Sequence, residues 1–350
     1  MRARAEARGV LAIVSVGMTT AVGRTARASF AAIRAKISNF TETRFFDAEG
    51  RWIVAGQVTG IPQRTGVDRL IDLASSAVAD CLAGAPPGLG PIPLLLCVSE
   101  KQRVGRPLGL DQQLFDGLAA MLEVDLGSSG ILPHGKLGIA FALAEARSLV
   151  ESGRHPAALI VGVDCLLDAK YLSAIDHAGR LAREGSPDGF VPGEGASAVL
   201  VSRFQPELPA SAVIVGLETA REAATLDSDE PMMAEGLSSV IARTMAALPR
   251  SAKLAGYRVI DASGEQYFMK EAALAAARAL RRPDAPAELW HPADCYGEIG
   301  AAAGPGVIAL AAHLAAREEG MATAALCHFS GDDAWRASAL VCSIGGRNVE

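Results

Sequence analysis

Residues 295–306 read CYGEIGAAAGPG, and they hold one acid, Glu298, at the entrance to a run of glycine and alanine. An ionised carboxylate in this place could act as a general base. Cys295 lies three residues earlier, where a thiol near a helix N-terminus could be reactive, and a small buried thiol is the other interpretation. His134, in the segment PHG, is either a further base or an ordinary loop residue.

The six cysteines stand singly, at positions 81, 97, 165, 295, 327 and 342. No CxxC or CxH spacing occurs among them, so the sequence predicts neither a zinc site nor a disulfide framework. Several lie in apolar runs that resemble strands, where buried reduced thiols are expected. We therefore expect no metal.

Short apolar runs alternate with amphipathic segments along the chain, a pattern typical of a parallel-rich α/β fold buried on both faces. Strands are predicted over 10–16, 94–100, 157–164, 212–218, 257–261 and 322–329. Helices are predicted over 25–37, 67–84, 109–122, 135–153, 231–248, 270–282 and 295–316.

The order of these elements repeats after residue 205, and the helix–strand pair over 301–328 parallels the pair over 137–163. This coarse symmetry predicts an internal duplication. We place the N-terminal half at 9–205 and the C-terminal half at 210–350, with PELPAS (206–211) as the joint between them.

The composition excludes some classes of partner. The chain has 350 residues, half of them apolar, and a net charge of −6, which argues against nucleic acid. No apolar run reaches the roughly 18–20 residues that span a bilayer. The N-terminal segment resembles a signal peptide, but it carries Glu6 and no small-residue cleavage site, so we interpret it as a first strand. We expect a cytoplasmic protein without a membrane span.

Separated segments resemble motifs of the β-ketoacyl synthase family. DGFVPGEGA (188–196) is similar to the family's D-G-F-x-x-G-E-G-A, and it follows a strand that ends in an acid at 164. GMTTAVG (17–23) resembles the family's opening glycine motif, with Ala21 in place of its proline, and GEIGAAAG (297–304) resembles G-H-T-x-G-A-A-G. The resemblance implies a thiolase-like fold of five layers, αβαβα, with two similar halves, which is usually a homodimer.

The family condenses acyl chains by decarboxylative Claisen chemistry, with a cysteine that carries the acyl group and two histidines that stabilise the enolate. Along the resemblance, Lys136 stands at the cysteine position, and Asp261 and Glu298 stand at the two histidine positions. Ionised carboxylates only accept hydrogen bonds and would repel an enolate. Ordinary condensation is therefore not expected.

The same resemblance assigns substrate contacts around these three positions. FSGDDAWR (329–336) stands where the family has the loop that lines its acyl pocket. The candidate substrate-binding residues are His134, Ser263, Phe329 and Asp332.

Three functions stay open. The first is a non-condensing homologue that binds an acyl or pantetheine-linked group, or that partners a synthase in fatty acid or polyketide-type synthesis. The second is an enzyme of altered chemistry, hydrolysis or decarboxylation of a thioester, that uses Lys136, Asp261 and Glu298. The third is a structural scaffold, in which the three residues form a buried ion cluster. No cofactor is expected beyond a phosphopantetheine-linked acyl substrate, and the expected partners are a second copy, a synthase or an acyl carrier protein.

Overall fold

The structure is a computed structural model that describes residues 9–183, 185, 188–205, 210–248, 253–280, 288–317 and 323–344. The predicted joint residues 206–209, the predicted helix end at 281–282, the strand residue 322 and the segment before residue 9, with Glu6, lie outside the described residues.

The described strands are β1 (Leu11–Thr19), β2 (Thr41–Phe46), β3 (Trp52–Ala55), β4 (Leu94–Cys97), β5 (Gly130–Leu132), β6 (Ala157–Cys165), β7 (Glu194–Arg203), β8 (Ala212–Arg221), β9 (Lys253–Ile260), β10 (Glu288–Trp290), β11 (Thr323–Ser330) and β12 (Trp335–Ser343). The described α-helices are α1 (Ala26–Arg34), α2 (Gly66–Ala83), α3 (Leu110–Ala119), α4 (Gly138–Glu151), α5 (Ala169–His177), α6 (Glu235–Ala246), α7 (Gln266–Ala279), α8 (Ala293–Tyr296) and α9 (Ala303–Ala316).

Two sets of five strands have the same topology. One runs β5–β4–β6–β7–β1 and the other β10–β9–β11–β12–β8. In each set the first two pairings are parallel and the last two are antiparallel. The sets join where Leu11–Ile13 of β1 pairs with Ala212–Ile214 of β8. The two similar halves are therefore present, and the exact boundary between them stays a prediction.

The helices complete five layers around these strands. Helices α4 and α9 share one buried apolar cluster with strands of both sets. Helices α2 and α3 cover the outer face of the N-terminal set, and α6 and α7 cover that of the C-terminal set. The predicted αβαβα class is confirmed. No described helix combines the length and apolar character that a membrane span requires.

Small residues let the central layer pack closely. A Cβ on Gly304 of α9 would collide with Ile139 of α4, and a Cβ on Gly162 of β6 would collide with the carbonyl oxygen of Ala301. The glycine–alanine run is therefore needed for the approach of α9 to its neighbours.

The prediction of one continuous helix over 295–316 was wrong. Helix α8 ends at Tyr296, Gly297 adopts φ +82°, and the chain resumes as a 3-10 turn over 300–302 before α9 begins. The backbone N–H of Glu298 donates instead to the carbonyl of Val191, at 2.8 Å. Glu298 thus lies in a break before the helix and is held there by a neighbouring loop.

The predicted helix over 135–153 also begins with a 3-10 turn, over 135–137. Gly135 and Gly300, the first residues of the two turns, both have φ +52°, a conformation that favours glycine. The two central helices therefore begin alike, and Lys136 lies in the first of these turns. The hairpin β2–β3, the strands β5, β7, β10 and β12 and the helix α5 were not predicted.

Candidate functional site

Lys136 and Glu298 form an ion pair at the entrances of the two central helices. The Nζ of Lys136 lies 3.1 Å from Oε2 of Glu298, and the side chains are only 12% and 8% exposed. The other carboxylate oxygen, Oε1, accepts the backbone N–H of Gly300 at 2.8 Å. The Nζ also lies 5.2 Å from the ring centroid of Phe268. Both charges are therefore fixed by close partners.

Asp261 follows β9 and is buried beside this pair. Both of its carboxylate oxygens accept the backbone N–H of Ser330, at 3.1 and 3.2 Å. Burial, with a smaller contribution from the negative charge of Glu298, raises the pKa of Asp261 to about 7, although Lys136 acts to lower it. At neutral pH this carboxyl group is partly protonated, so it can donate as well as accept a proton.

Lys136 keeps its proton in this environment. Burial acts to lower its pKa, but the attraction of Glu298, Asp261 and Asp332 outweighs burial, and the pKa of Lys136 rises above its ordinary value. A protonated amine has no free electron pair for attack on a carbonyl. The lysine therefore acts here as a fixed positive charge.

A cavity of about 590 Å³ opens onto Lys136 and Glu298. Its wall comes from separate loops and from α5, and it includes Asp332, the predicted site residue in the loop before β12. The other lining residues are Glu100, Gln102, Arg103, Val104, Leu166, Tyr171, Ile175, Arg180, Phe190, Asp227, Glu265, Gly300, Gly331 and Asp333. The volume is large enough for a small organic ligand.

Asp261 is not among the residues that line this cavity. Both Asp261 and Glu298 line a far smaller void of about 10 Å³, together with Pro292, Tyr296 and Val307 among others. Such a void has room for about one water molecule. The open cavity therefore reaches Glu298 but not Asp261.

Arg180 holds the loop that forms one side of the cavity mouth. It donates to Glu265 at 2.7 and 2.9 Å and to Asp332 at 2.7 and 3.0 Å. Burial acts to raise the pKa of Asp332, but the hydrogen bonds from Arg180 outweigh it and hold that pKa below its usual value. Arg180 thereby connects α7 and the loop before β12 to the segment after α5.

Arg103 holds the inner wall in a similar way. Its guanidinium donates to both oxygens of Asp164, at 2.6 and 2.7 Å. Asp164 also accepts the backbone N–H of Ala301, at 3.0 Å. The acid at the end of β6 thus links Arg103 to the turn before α9.

The other predicted contact residues do not line this cavity. His134 lies 4.5 Å from the ring of Phe141, on a separate groove of about 540 Å³ beside β5. Phe329 is fully buried in the core between the two strand sets. The hydroxyl of Ser263 is buried without a hydrogen-bond partner among the described residues. Their roles in binding stay predictions.

Several lining residues were not expected from the sequence. Glu100 ends the predicted strand 94–100, so its position at the end of a strand was a usable signal. Arg103, Arg180 and Glu265 belong to loops or helix ends and carry no pattern of their own. In the described part of the chain, no group of three or more His, Cys, Asp or Glu side chains is arranged to hold a metal ion.

No family model and no curated protein sequence matches this chain. Solved structures do match it. The ketosynthase from module 6 of the bacillaene synthase of Bacillus subtilis 168 is similar with a TM-score of 0.74, at 14% identity, over 96% of this chain and 72% of that chain.

Two complexes contain similar chains. One is AntDE:AntF, a type II PKS acyl-carrier protein in complex with its ketosynthase bound to the hexaketide (TM-score 0.74, 14% identity, 95% of this chain and 99% of that chain). The other is the ketosynthase ApeO with its chain length factor ApeC from Xenorhabdus doucetiae (TM-score 0.70, 13% identity, 96% and 98%). These likenesses establish that the chain has the thiolase fold of ketosynthases.

Proposed function

We propose that this chain with the ketosynthase fold is a non-condensing subunit that partners a synthase in fatty acid or polyketide-type synthesis. One observation carries the proposal: a lysine–glutamate ion pair stands where the resemblance to condensing enzymes expects a thiol and an imidazole. Lys136 is protonated, and Glu298 is held by Lys136 and by the backbone of Gly300. Neither group can carry an acyl chain as a thioester.

No nearby cysteine supplies the missing thiol. Cys97 packs against Gly138 at the start of α4, but it is fully buried, and burial raises the pKa of its thiol. Burial also raises the pKa of Cys295. Since the thiolate is the nucleophile, both thiols are poorly suited to acyl transfer.

The edge of the N-terminal strand set supports a partner role. Strand β5 ends that set, and its three residues are half-buried. The groove beside it has a volume of about 540 Å³. Leu126, in the 3-10 turn that precedes β5, is 65% exposed. An edge strand with unpaired backbone groups favours association with another chain. A chain of this fold occurs in the complex of the ketosynthase ApeO with its chain length factor ApeC.

A second candidate, hydrolysis or decarboxylation of a thioester, has one observation in its favour. With a pKa of about 7, Asp261 could serve as an acid while Glu298 serves as a base. The open cavity argues against it, because Glu298 lines that cavity and Asp261 does not, and the void that both acids line is only about 10 Å³. The third candidate, a scaffold without a ligand, does not account for the open cavity.

Two measurements test the proposal. The purified chain is incubated with acyl and malonyl thioesters of an acyl carrier protein, and intact mass and product release are followed. We expect no adduct and no turnover, whereas a Lys136→Cys variant, with a thiol at the helix entrance, becomes acylated. An adduct or turnover on the wild-type chain would refute the non-condensing function.

The second measurement is copurification of the tagged chain with a co-expressed synthase. We expect a complex of one copy of each chain, and sedimentation gives its stoichiometry. A chain that stays monomeric with every synthase tried, and that shows no self-association, would contradict the partner function.

A further inference from the structure

A second cavity, of about 410 Å³, shares Arg103 as a lining residue with the cavity over Lys136. We propose that this second cavity binds a small organic carboxylate with an apolar body. Its volume lies in the range of ligand sites. Among its described lining residues, four are arginines and two are acids, whereas the chain as a whole has a net charge of −6. The excess of positive charge is therefore a local feature of this cavity.

The two acids of the cavity already have donors. Glu194 accepts the Nε of Arg69 and the backbone N–H of Val58, both at 2.9 Å, and the side chains of this ion pair are only 3% and 4% exposed. Asp168 caps α5 by accepting two backbone N–H groups of its first turn, at 2.9 and 3.1 Å. Neither acid is therefore free to neutralise the remaining arginines.

Two arginines of the cavity keep unused donors. Arg103 donates both of its terminal nitrogens to Asp164, but its Nε is buried and has no hydrogen-bond partner in the described part of the chain. Arg44 is exposed, lies 5.2 Å from the ring centroid of Phe45 and forms no ion pair with a described acid. A buried N–H without an acceptor is costly. A carboxylate is the group whose geometry matches a guanidinium, so an anionic ligand would supply what these side chains lack.

The start of helix α2 adds to the positive potential of the cavity. Thr65, the N-cap residue, and Gly66 both line it. The side chain of Thr65 makes no capping hydrogen bond, and the space where a Cβ on Gly66 would lie is open. The N–H groups of a first helical turn have no acceptor within the helix and form the positive end of its dipole. The helix therefore favours the same sign of ligand charge as the arginines.

Apolar side chains form the other part of the wall, and they define the body of the ligand. Phe45, Leu70, Pro107 and Leu167 line the cavity beside the arginines. An inorganic anion would gain nothing from these side chains. A carboxylate with an aromatic body would bury apolar surface against them, and that burial is favourable.

Three probes test the proposal by calorimetry on the intact chain: hydrocinnamate, its uncharged amide and inorganic phosphate. We expect hydrocinnamate to bind at one site at least about tenfold more tightly than either of the others. Its affinity falls as salt is raised, because partly exposed charges are screened. Equal or tighter binding of the amide or of phosphate would overturn the proposal, as would no binding of hydrocinnamate.

Matched variants locate the site. Arg44→Gln removes the exposed charge and should weaken hydrocinnamate binding by about fivefold or more. Leu167→Ala should weaken it as well, through the loss of apolar contact. Arg203→Gln, at an exposed position outside the cavity, is the control and should change nothing. Circular dichroism checks that each variant is folded. Hydrocinnamate binding that is unchanged in both cavity variants would contradict the proposal. The copurification test with a synthase does not use Arg44 or Leu167, so a failure here leaves the proposed function standing.

Discussion

The substitution Asp261→Asn should change how the stability of the chain depends on pH. Burial raises the pKa of Asp261 to about 7, whereas an aspartate in an unfolded chain titrates near ~3.9. Between these two values the folded state holds a proton that the unfolded chain has lost. Each pH unit below about 7 therefore adds about 1.4 kcal/mol to the free energy of unfolding.

Two such units, from about pH 7 to about pH 5, amount to about 2.7 kcal/mol. This stability is present at acidic pH and is lost as the pH rises through the folded pKa. Asparagine has no proton to release in this range, and its amide oxygen can still accept the N–H of Ser330. The variant should therefore lack this part of the pH dependence.

Urea unfolding of both proteins at about pH 5 and about pH 8 measures the effect. The wild-type chain should lose about 2.7 kcal/mol more than Asp261→Asn between the two conditions. Asp332→Asn is the control, because the pKa of Asp332 is lowered and its contribution is lost only in more acidic solution. Equal pH dependence in wild type and Asp261→Asn would show that Asp261 does not titrate near neutrality, and the reasoning on the site would fail.

Three further substitutions test the packing and the interface. Lys136→Met should lower the free energy of unfolding, measured with urea, by about 3–5 kcal/mol, because Glu298 loses its partner. The double variant Lys136→Met with Glu298→Gln should recover most of this loss. Arg336→Met should lower the free energy of unfolding by ~3–5 kcal/mol in the same assay, because its fully buried ion pair with Glu271 is lost. A decrease of less than ~1 kcal/mol would contradict this prediction. Leu126→Asp, at an exposed site beside β5, should weaken association by about tenfold in sedimentation without lowering Tm. Unchanged association would remove β5 from the interface.

The resemblance to condensing enzymes placed Lys136, Asp261 and Glu298 near one another before any geometry was known. The structure brings Lys136 and Glu298 into contact and buries Asp261 beside them. Their role in chemistry stays a prediction. The break at Gly297 was not foreseen, because a run of small residues reads as helix and the hydrogen bond from Glu298 to Val191 joins residues distant in sequence.

The alternation of apolar runs and amphipathic segments determined, by itself, that this is an α/β chain with two similar halves. The local pattern is enough for that, because short apolar runs of strand length and amphipathic helical segments recur in a similar order in both halves. The positions of single charges needed the folded chain. Glu100, Arg180 and Glu265 are far apart in sequence, and they line one cavity only because the two strand sets bring their loops to the same end of the central helices.

The sequence alone therefore determined the α/β class and the two halves, and its resemblance to condensing enzymes predicted the five layers and the groups at the helix entrances. Only the tertiary structure decided which of those groups are paired and which of them line an open cavity. Pairing, burial and free volume depend on distances between elements, and such distances are set by the packing of the whole core.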